Sequence, residues 1–567
     1  SAPFFFRRPG ANKSQSEQST RKPMSKQFFF TPSLVVLIVA LLCGCQSKSR
    51  RPQGARAQEH PRPNILYILV DDLGYGDVDS LNPLGKIKTP RIDKLATEGM
   101  SFTEAHGSSA VCTPSRYSIL TGRYNWRSKL KSGVLGGYAK PLIEDDRLTV
   151  AELLHGNGYQ TACIGKWHLG LDWALKTNNG AEERPIGEDV SAEDRRNMGP
   201  DIDFTKPIGR GPVTLGFDEF FGISGSLDMP PYTFIENDHV TALPTIQKGF
   251  LTGRGGMHTR VGPQAPGFNA EDVLPTFTKR AIDYIDRAAV AAKTGKPFFL
   301  YLAFPTPHTP LAPTVEWLGK SGLSYYGDYV METDASVGEV LDALKRNGLA
   351  GDTLVIFASD NGCSPAADFP YLLAHGHDPS DGRRGYKADI YDGGHRIPLI
   401  VRWPGHVPRD SRNNDFICLG DFMATCADLL GVKLPDNAAE DSITFLPPML
   451  GKGRGLRDTL VESSINGSFG IRQGQWKLAF CRDSGGWSYP RPGKDKTDGW
   501  PRFQLFDVVA DPAERTNVLD QHPDIVQRLG HQMRDYILNG RSTPGAPQQN
   551  TPSNKDWQQT AWIDQFK

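Results

Sequence analysis

From Asn64 the chain reads Ile, Leu, Tyr, Ile, Leu, Val and then breaks into Asp71, Asp72 and a glycine turn. A strand with one face in water would alternate polar and apolar residues. An unbroken apolar run of this length predicts a strand buried on both faces, as in a parallel sheet. The next segment, "TPRIDKLATEGMSF", changes period and predicts an amphipathic helix leading to another strand. The alternation then recurs. "TVAELLHGNGYQTACIGKWHLG" reads as helix, glycine turn and strand. "FTKRAIDYIDRAAVAA" followed by "KPFFLYLAFPTPHTP" reads as helix, strand and polar loop, and "YVMETDASVGEVLDALKRNGL" followed by "DTLVIFASDNG" repeats the pattern. Repeated alternation predicts an α/β fold, doubly wound on a large, mostly parallel sheet. A Pro/Gly-rich joint falls at Leu446–Leu456. Beyond it "SFGIRQGQWKLAF" and "FQLFDVVADPAERTNVL" read as short antiparallel strands, and "DIVQRLGHQMRDYIL" as a closing helix. The expected division is 1–60 as leader and tether, 61–455 as the large domain and 456–567 as a smaller C-terminal α+β domain.

Polar residues gather where the strands end. Asp71-Asp72, Lys166 with His168, His308, and Asp360-Asn361 each follow a predicted strand. Ligands of open α/β sheets bind outside the carboxyl ends of the strands. Four separate segments therefore deliver chemistry to one edge.

Size and composition narrow the reading. A chain of 567 residues exceeds one simple core and fits two domains. Lys plus Arg and Asp plus Glu both number 64, which argues against a nucleic-acid partner. The 59 glycines and 43 prolines suggest long ordered loops, the usual carriers of chemistry on a regular scaffold. The eight cysteines form no CxxC pair and no zinc spacing. They indicate no disulfide framework, although a single Cys418–Cys426 bridge stays open.

The stretch "MSKQFFFTPSLVVLIVALLCGC", from Met24, has the anatomy of a secretory signal. Its apolar run, Leu34–Leu42, falls short of the about 20 residues that a membrane span needs. Its end, Leu42-Cys43-Gly44-Cys45, resembles the bacterial lipobox, which implies lipidation of Cys45 and an envelope lipoprotein, periplasmic or at the cell surface. A plain cleaved signal peptide is the alternative. Ser47–Pro63 then reads as a tether. Residues 1–23 read as upstream translation and take no part in the fold.

Asp71, Asp72, Asp360 and Asn361 are hard oxygen donors, a set suited to calcium or magnesium rather than zinc. Arg116 follows Cys112 by one helical turn, so the two can face one point. With Lys166, His168, His308 and Lys387, and a divalent cation, they would form a pocket for a tetrahedral oxyanion ester.

Cys112-Thr-Pro-Ser-Arg116, continued by Leu120-Thr121-Gly122-Arg123, resembles the signature of the type I sulfatases of the alkaline phosphatase superfamily. "NILYILVDDLGYGD", "GKWHLG", "PTPHTP", "SDNG" and "GYKADIYDGGHRIPLIVRWPG" resemble further sulfatase blocks, so the likeness spans nearly the whole mature chain. The resemblance implies that a maturation enzyme oxidises Cys112 to Cα-formylglycine. A hydroxyl of the hydrated aldehyde would attack sulfur, leaving a covalent sulfate hemiester that collapses as the aldehyde re-forms. It further implies one Ca²⁺ per chain, held by Asp71, Asp72, Asp360 and Asn361 together with the modified residue 112. Arg116 would stabilise the nucleophile, and Lys166 and Lys387 would neutralise the sulfate oxygens. His168 would act as base, and His308 would assist the leaving alcohol.

The substrate is less legible. "GFDEFFGISGSLDMPPYTFIENDHV" resembles the substrate-side block of N-acetylgalactosamine and arylsulfatase-like members, and algal galactans of the carrageenan type remain equally open. Asp228, Tyr232, His239, His375, His377, Arg383 and Arg384 are candidate contacts to a sulfated carbohydrate or aryl sulfate. Two alternatives stand beside the sulfatase reading: a phosphatase or phosphonate monoester hydrolase on the same fold, and a glycan-binding lipoprotein without catalysis.

Overall fold

The structure, a computed structural model, describes residues 62–176, 201–252, 257–552 and 557–567. The leader, Cys43, Cys45 and the tether up to residue 61 lie outside the described residues. Those described all fall within one compact unit, Gln58–Lys567.

A ten-stranded sheet organises the molecule. Its order is Ser411–Asn413, Met100–Phe102, Leu399–Arg402, Thr353–Ser359, Asn64–Val70, Phe298–Ala303, Gln160–Lys166, Glu219–Ile223, Ile235–Glu236 and His239–Val240. The central run from Thr353–Ser359 to Glu219–Ile223 is parallel throughout. Leu399–Arg402 and Ile235–Glu236 flank it in the antiparallel sense. Every residue of Asn64–Val70 is buried. Ile65, Tyr67 and Leu69 enter one apolar core and Leu66, Ile68 and Val70 the other, which explains the missing polar alternation. Helices Val273–Ala292 and Tyr325–Arg346 cover the second face. Cys112–Thr121, Val150–Gly156 and Phe422–Leu430 cover the first. The turn into Val150–Gly156 is a reciprocal cap, with Glu152 N–H donating to Thr149 Oγ1 and Thr149 N–H to Glu152 Oε2.

The C-terminal sheet has four antiparallel strands, Thr459–Ser463, Phe469–Gln473, Trp476–Ala479 and Gln504–Asp507. Helix Pro523–Leu538 lays Leu529, Met533 and Ile537 on Leu460, Ile471, Leu478 and Leu505. In the stretch Phe503–Leu519 only Gln504–Asp507 is a strand. Asp507 Oδ1 accepts from Val509 and Ala510 N–H, and Asp511 Oδ2 from Arg515 and Thr516 N–H, so carboxylates take the donors that a ladder would have used.

The two sheets share buried ground. Tyr124, Trp126 and Cys418 belong to the core of the smaller sheet. A buried ionic cluster also joins them. Glu462 lies 2.8 Å from His395 and 3.4 Å from Lys477, Lys477 lies 3.0 Å from Glu514, and His106 faces His395 at 3.0 Å. The cysteines at 112, 163, 363, 418, 426 and 481 are free, so the possible Cys418–Cys426 bridge is not formed. Among the described residues, no helix is long and apolar enough to cross a membrane.

Candidate active site

Parallel strands of the central run stop at one edge and release their polar groups there. Asn64–Val70 runs into Asp71-Asp72, Thr353–Ser359 into Asp360-Asn361, and Gln160–Lys166 ends on Lys166 itself. His308 arrives from the loop after Phe298–Ala303. The helix Cys112–Thr121 begins over the same edge, with Cys112 at its first turn. It closes at Gly122, whose φ of 64° suits glycine and whose N–H donates to Ser118 O at 2.8 Å.

These groups are buried and interlocked. Arg116 Nε and Nη2 donate to Asp360 Oδ2 at 3.0 and 2.8 Å, and Nη1 donates to the Lys166 carbonyl. Lys166 Nζ lies 2.5 Å from Asp71 Oδ2, and Lys387 Nζ lies 2.8 Å from Asp72. Asn361 donates to Asp72 Oδ1 at 2.7 Å. Burial opposes the charge on Asp71, yet Lys166 and the other cations hold it well below the usual carboxylate range. Asp360 moves the other way, raised by burial and by the neighbouring Asp71. Lys387, despite its burial, is raised by Asp72.

The donor set fits a hard cation. Asp71 Oδ1 and Asn361 Oδ1 are buried and have no hydrogen-bond partner. Ligand atoms of Asp71, Cys112 and Asp360 lie within 4.8 Å of one another, as do those of Asp71, Asp72 and His308. Buried oxygens left without donors are costly unless something positive meets them. His308 is the histidine that an all-oxygen reading of the set had left out. Its Nε2 stands 3.7 Å from Asp72 Oδ2, while Nδ1–H can donate to the Thr309 carbonyl at 2.8 Å.

Burial pushes the Cys112 thiol up to about 11. As an unmodified thiol it stays protonated and is a poor nucleophile. His168 is also buried. Its Nε2 lies 2.7 Å from the Leu135 carbonyl, which fixes the proton there, and Nδ1 has no partner. Burial, with Lys166 adding to it, holds His168 well below the ordinary histidine range. It is thus a neutral ring with a bare Nδ1. Thr113 ties it to the signature, donating from Oγ1 to the His168 carbonyl.

The substrate candidates separate. Asp228 precedes Met229, which packs with Val111, Cys112, Val134, Ala388 and Ile465. Asp228 Oδ1 is buried without a partner and Oδ2 lies 3.4 Å from Arg260. Tyr232 is corrected: it is a core residue, 1% exposed, whose hydroxyl donates to the Arg260 carbonyl. His377 is corrected too, since it is fully buried between Asp77 Oδ1 and Lys86 N–H. Arg384 stacks on Tyr391 and donates to the Glu514 carbonyl, and Arg383 is engaged by Asp381 and Asp392. His375 stacks on exposed Tyr371, and His239 pairs with Asp238 in the outermost strand of the sheet. The apolar wall of Met229, Val134 and Ile465 carries no sequence signal, because its members come from three distant loops.

Three buried cations, a hard-cation donor set and a helix N-terminus at one sheet edge define a hydrolase of tetrahedral oxyanion esters. A sulfatase family model matches residues 63–432. N-acetylgalactosamine-6-O-sulfatase of Bacteroides thetaiotaomicron is 34% identical over 87% of this chain and 96% of its own. Arylsulfatase A of Bos taurus is 31% identical over 82% of this chain and 84% of its own. A solved Bacteroides thetaiotaomicron structure, described under the metabolism of multiple glycosaminoglycans, superposes with a TM-score of 0.69 at 31% identity, covering 84% of this chain and 99% of that one. The chain belongs to the sulfatase family, in the alkaline phosphatase superfamily, and is a sulfuric ester hydrolase.

Proposed function

We propose that the protein hydrolyses sulfate monoesters of glycans, with N-acetylgalactosamine 6-sulfate as the first sugar to test. The carrying observation is the meeting of Asp71, Cys112 and Asp360 within 4.8 Å beside orphaned Asp71 and Asn361 oxygens. The choice of sugar is supported by the N-acetylgalactosamine-6-O-sulfatase relative.

Asp71, Asp72, Asp360 and Asn361 would hold one Ca²⁺, which would supply Lewis-acid charge beside residue 112. Cys112, matured to Cα-formylglycine by a dedicated enzyme, supplies the oxygen nucleophile. Arg116, spent on Asp360, keeps the acids in place beneath it. Lys166 and Lys387 neutralise the transferring group from two sides. His168 Nδ1 takes a proton, its other nitrogen being committed to the Leu135 carbonyl. His308 Nε2 gives one to the departing alcohol. Asp228 Oδ1 accepts a hydroxyl of the sugar, with Met229 against the ring. We further take the protein to be exported and anchored through a lipid on Cys45. Cys45→Ala should move it from the membrane fraction to the soluble one.

Incubation of the purified protein with 6-sulfated N-acetylgalactosamine oligosaccharides should release inorganic sulfate. Cys112→Ala should be folded and inactive. Preferential hydrolysis of matched phosphate or phosphonate esters would favour the alternative hydrolase reading, and near-native turnover by Cys112→Ala would remove the nucleophile.

A further inference from the structure

Strands Trp476–Ala479 and Gln504–Asp507 are antiparallel neighbours. The chain nevertheless takes residues 480–503 to pass from one to the other. A connection this long is seldom kept without a use. It is firmly held. Buried Asp389 Oδ1 accepts from Trp487 and Ser488 N–H at 2.8 and 3.0 Å, while its Oδ2 accepts from Tyr386 N–H. Ile390 N–H donates to the Ser484 carbonyl, and Gln504 donates to the carbonyls of Cys481 and Asp483.

These bonds press the loop onto the wall of the catalytic pocket. Asp389 follows Ala388, which lies in the apolar ring around Cys112, and Lys387, which reaches Asp72. A Cβ on Gly486 would fall 2.4 Å from the Ala388 carbonyl, so the loop backbone lies directly on that wall. The next residue is Trp487, 40% exposed, and Tyr489 is 65% exposed. Two large aromatics exposed two residues apart on a held loop beside the pocket are suited to ligand contact, having an apolar face and a polar edge. The same loop carries Arg482, Arg491, Lys494, Lys496 and Arg502 against Asp483, Asp495 and Asp498, a basic balance in a chain that is neutral overall.

We infer that this loop is a second carbohydrate subsite, in which Trp487 stacks on a pyranose ring next to the one bearing the scissile sulfate. Its basic residues attract a polyanionic chain. The inference rests on the glycan-sulfatase reading and extends it from a single sugar to an oligosaccharide. An aromatic face suits the apolar C–H face of a sugar, and a backbone anchored through Asp389 spends little ordering entropy on binding.

The test compares Trp487→Ala and Trp487→Phe with the wild type on a sulfated tetrasaccharide and on 4-nitrophenyl sulfate, which has no neighbouring pyranose ring to stack. Trp487→Ala should lose about tenfold in kcat/KM on the tetrasaccharide, mostly through KM, the order that truncating an aromatic anchor costs. It should keep the wild-type rate on nitrophenyl sulfate, and Trp487→Phe should retain most of both. A tetrasaccharide rate unchanged in Trp487→Ala, or an equal loss on both substrates, overturns the subsite alone. A wild-type protein that cleaves nitrophenyl sulfate but no sulfated oligosaccharide overturns the glycan reading and the subsite with it.

Discussion

His168 and His308 stand on the same edge yet differ in which nitrogen is free. His168 keeps its proton on Nε2 toward Leu135 and leaves Nδ1 bare, whereas His308 spends Nδ1 on Thr309 and turns Nε2 toward Asp72. Under the proposed roles their loss should be told apart by leaving group. A nitrophenolate departs readily, while a sugar alkoxide needs a proton. His308→Ala should therefore slow glycan sulfate hydrolysis by about 10²–10⁴-fold and nitrophenyl sulfate hydrolysis far less. His168→Ala should slow both alike, and the reverse pattern in paired kinetics would exchange the roles. Asp360 carries a separate prediction. Asp360→Ala removes the partner of Arg116 as well as a proposed cation ligand, so metal analysis should find calcium lost along with rate. Chelated wild-type enzyme should recover with calcium better than with zinc, and full rate without bound metal would refute the oxygen-donor site.

The helix Cys112–Thr121 shows how an element sets a residue. Its end depends on Gly122 in the left-handed region, where a Cβ would also fall 2.9 Å from Ala439. Gly122→Ala should lower stability by about 1–3 kcal/mol in denaturant titration, and activity with it, since the helix start carries residue 112. An unchanged midpoint would show that the end is not held there. Elements of this kind were largely legible in the sequence. The parallel strands announced themselves because both faces are apolar, and the polar residues at their ends, with Arg116 of the signature stretch, are the groups that the fold brings together at one edge. Phe422–Leu430 and Thr459–Ser463 went unread, being short and lacking a distinct period of their own. Tyr232 and His377 looked available because a polar loop residue and a core residue that is hydrogen-bonded share one composition. Only the fold tells Asp228, with a bare oxygen beside Met229, from His377, with both nitrogens spent.

For the molecule as a whole, the two sheets depend on charge as well as on apolar area. Glu462 is held down to about 2, although burial opposes its ionisation, by His395 and Lys477, and burial lowers His106 to about 4. In both cases the unfolded chain binds protons more readily than the folded one, so stability rises with pH. The His106 part should be lost as pH falls from about 6.5 to about 4, and the Glu462 part from about 4.5 to about 2. Glu462→Gln should flatten the lower part of that slope in thermal melts taken across pH, and an unaltered slope would place the acid sensitivity elsewhere. The same joint bears on when residue 112 can be altered. Cys112 is 2% exposed, and the segment before it is pinned from the C-terminal sheet, with Ala110 N–H and Ser109 Oγ both donating to the Ser463 carbonyl. Some 350 residues separate those partners in the chain, so the cover arrives late in synthesis. Under the proposed maturation, an enzyme acting on residue 112 would meet a thiol that the finished fold has buried. On that proposal, conversion of Cys112 would have to precede the arrival of Ser463, and a chain that folded first would stay unconverted for as long as it stayed folded.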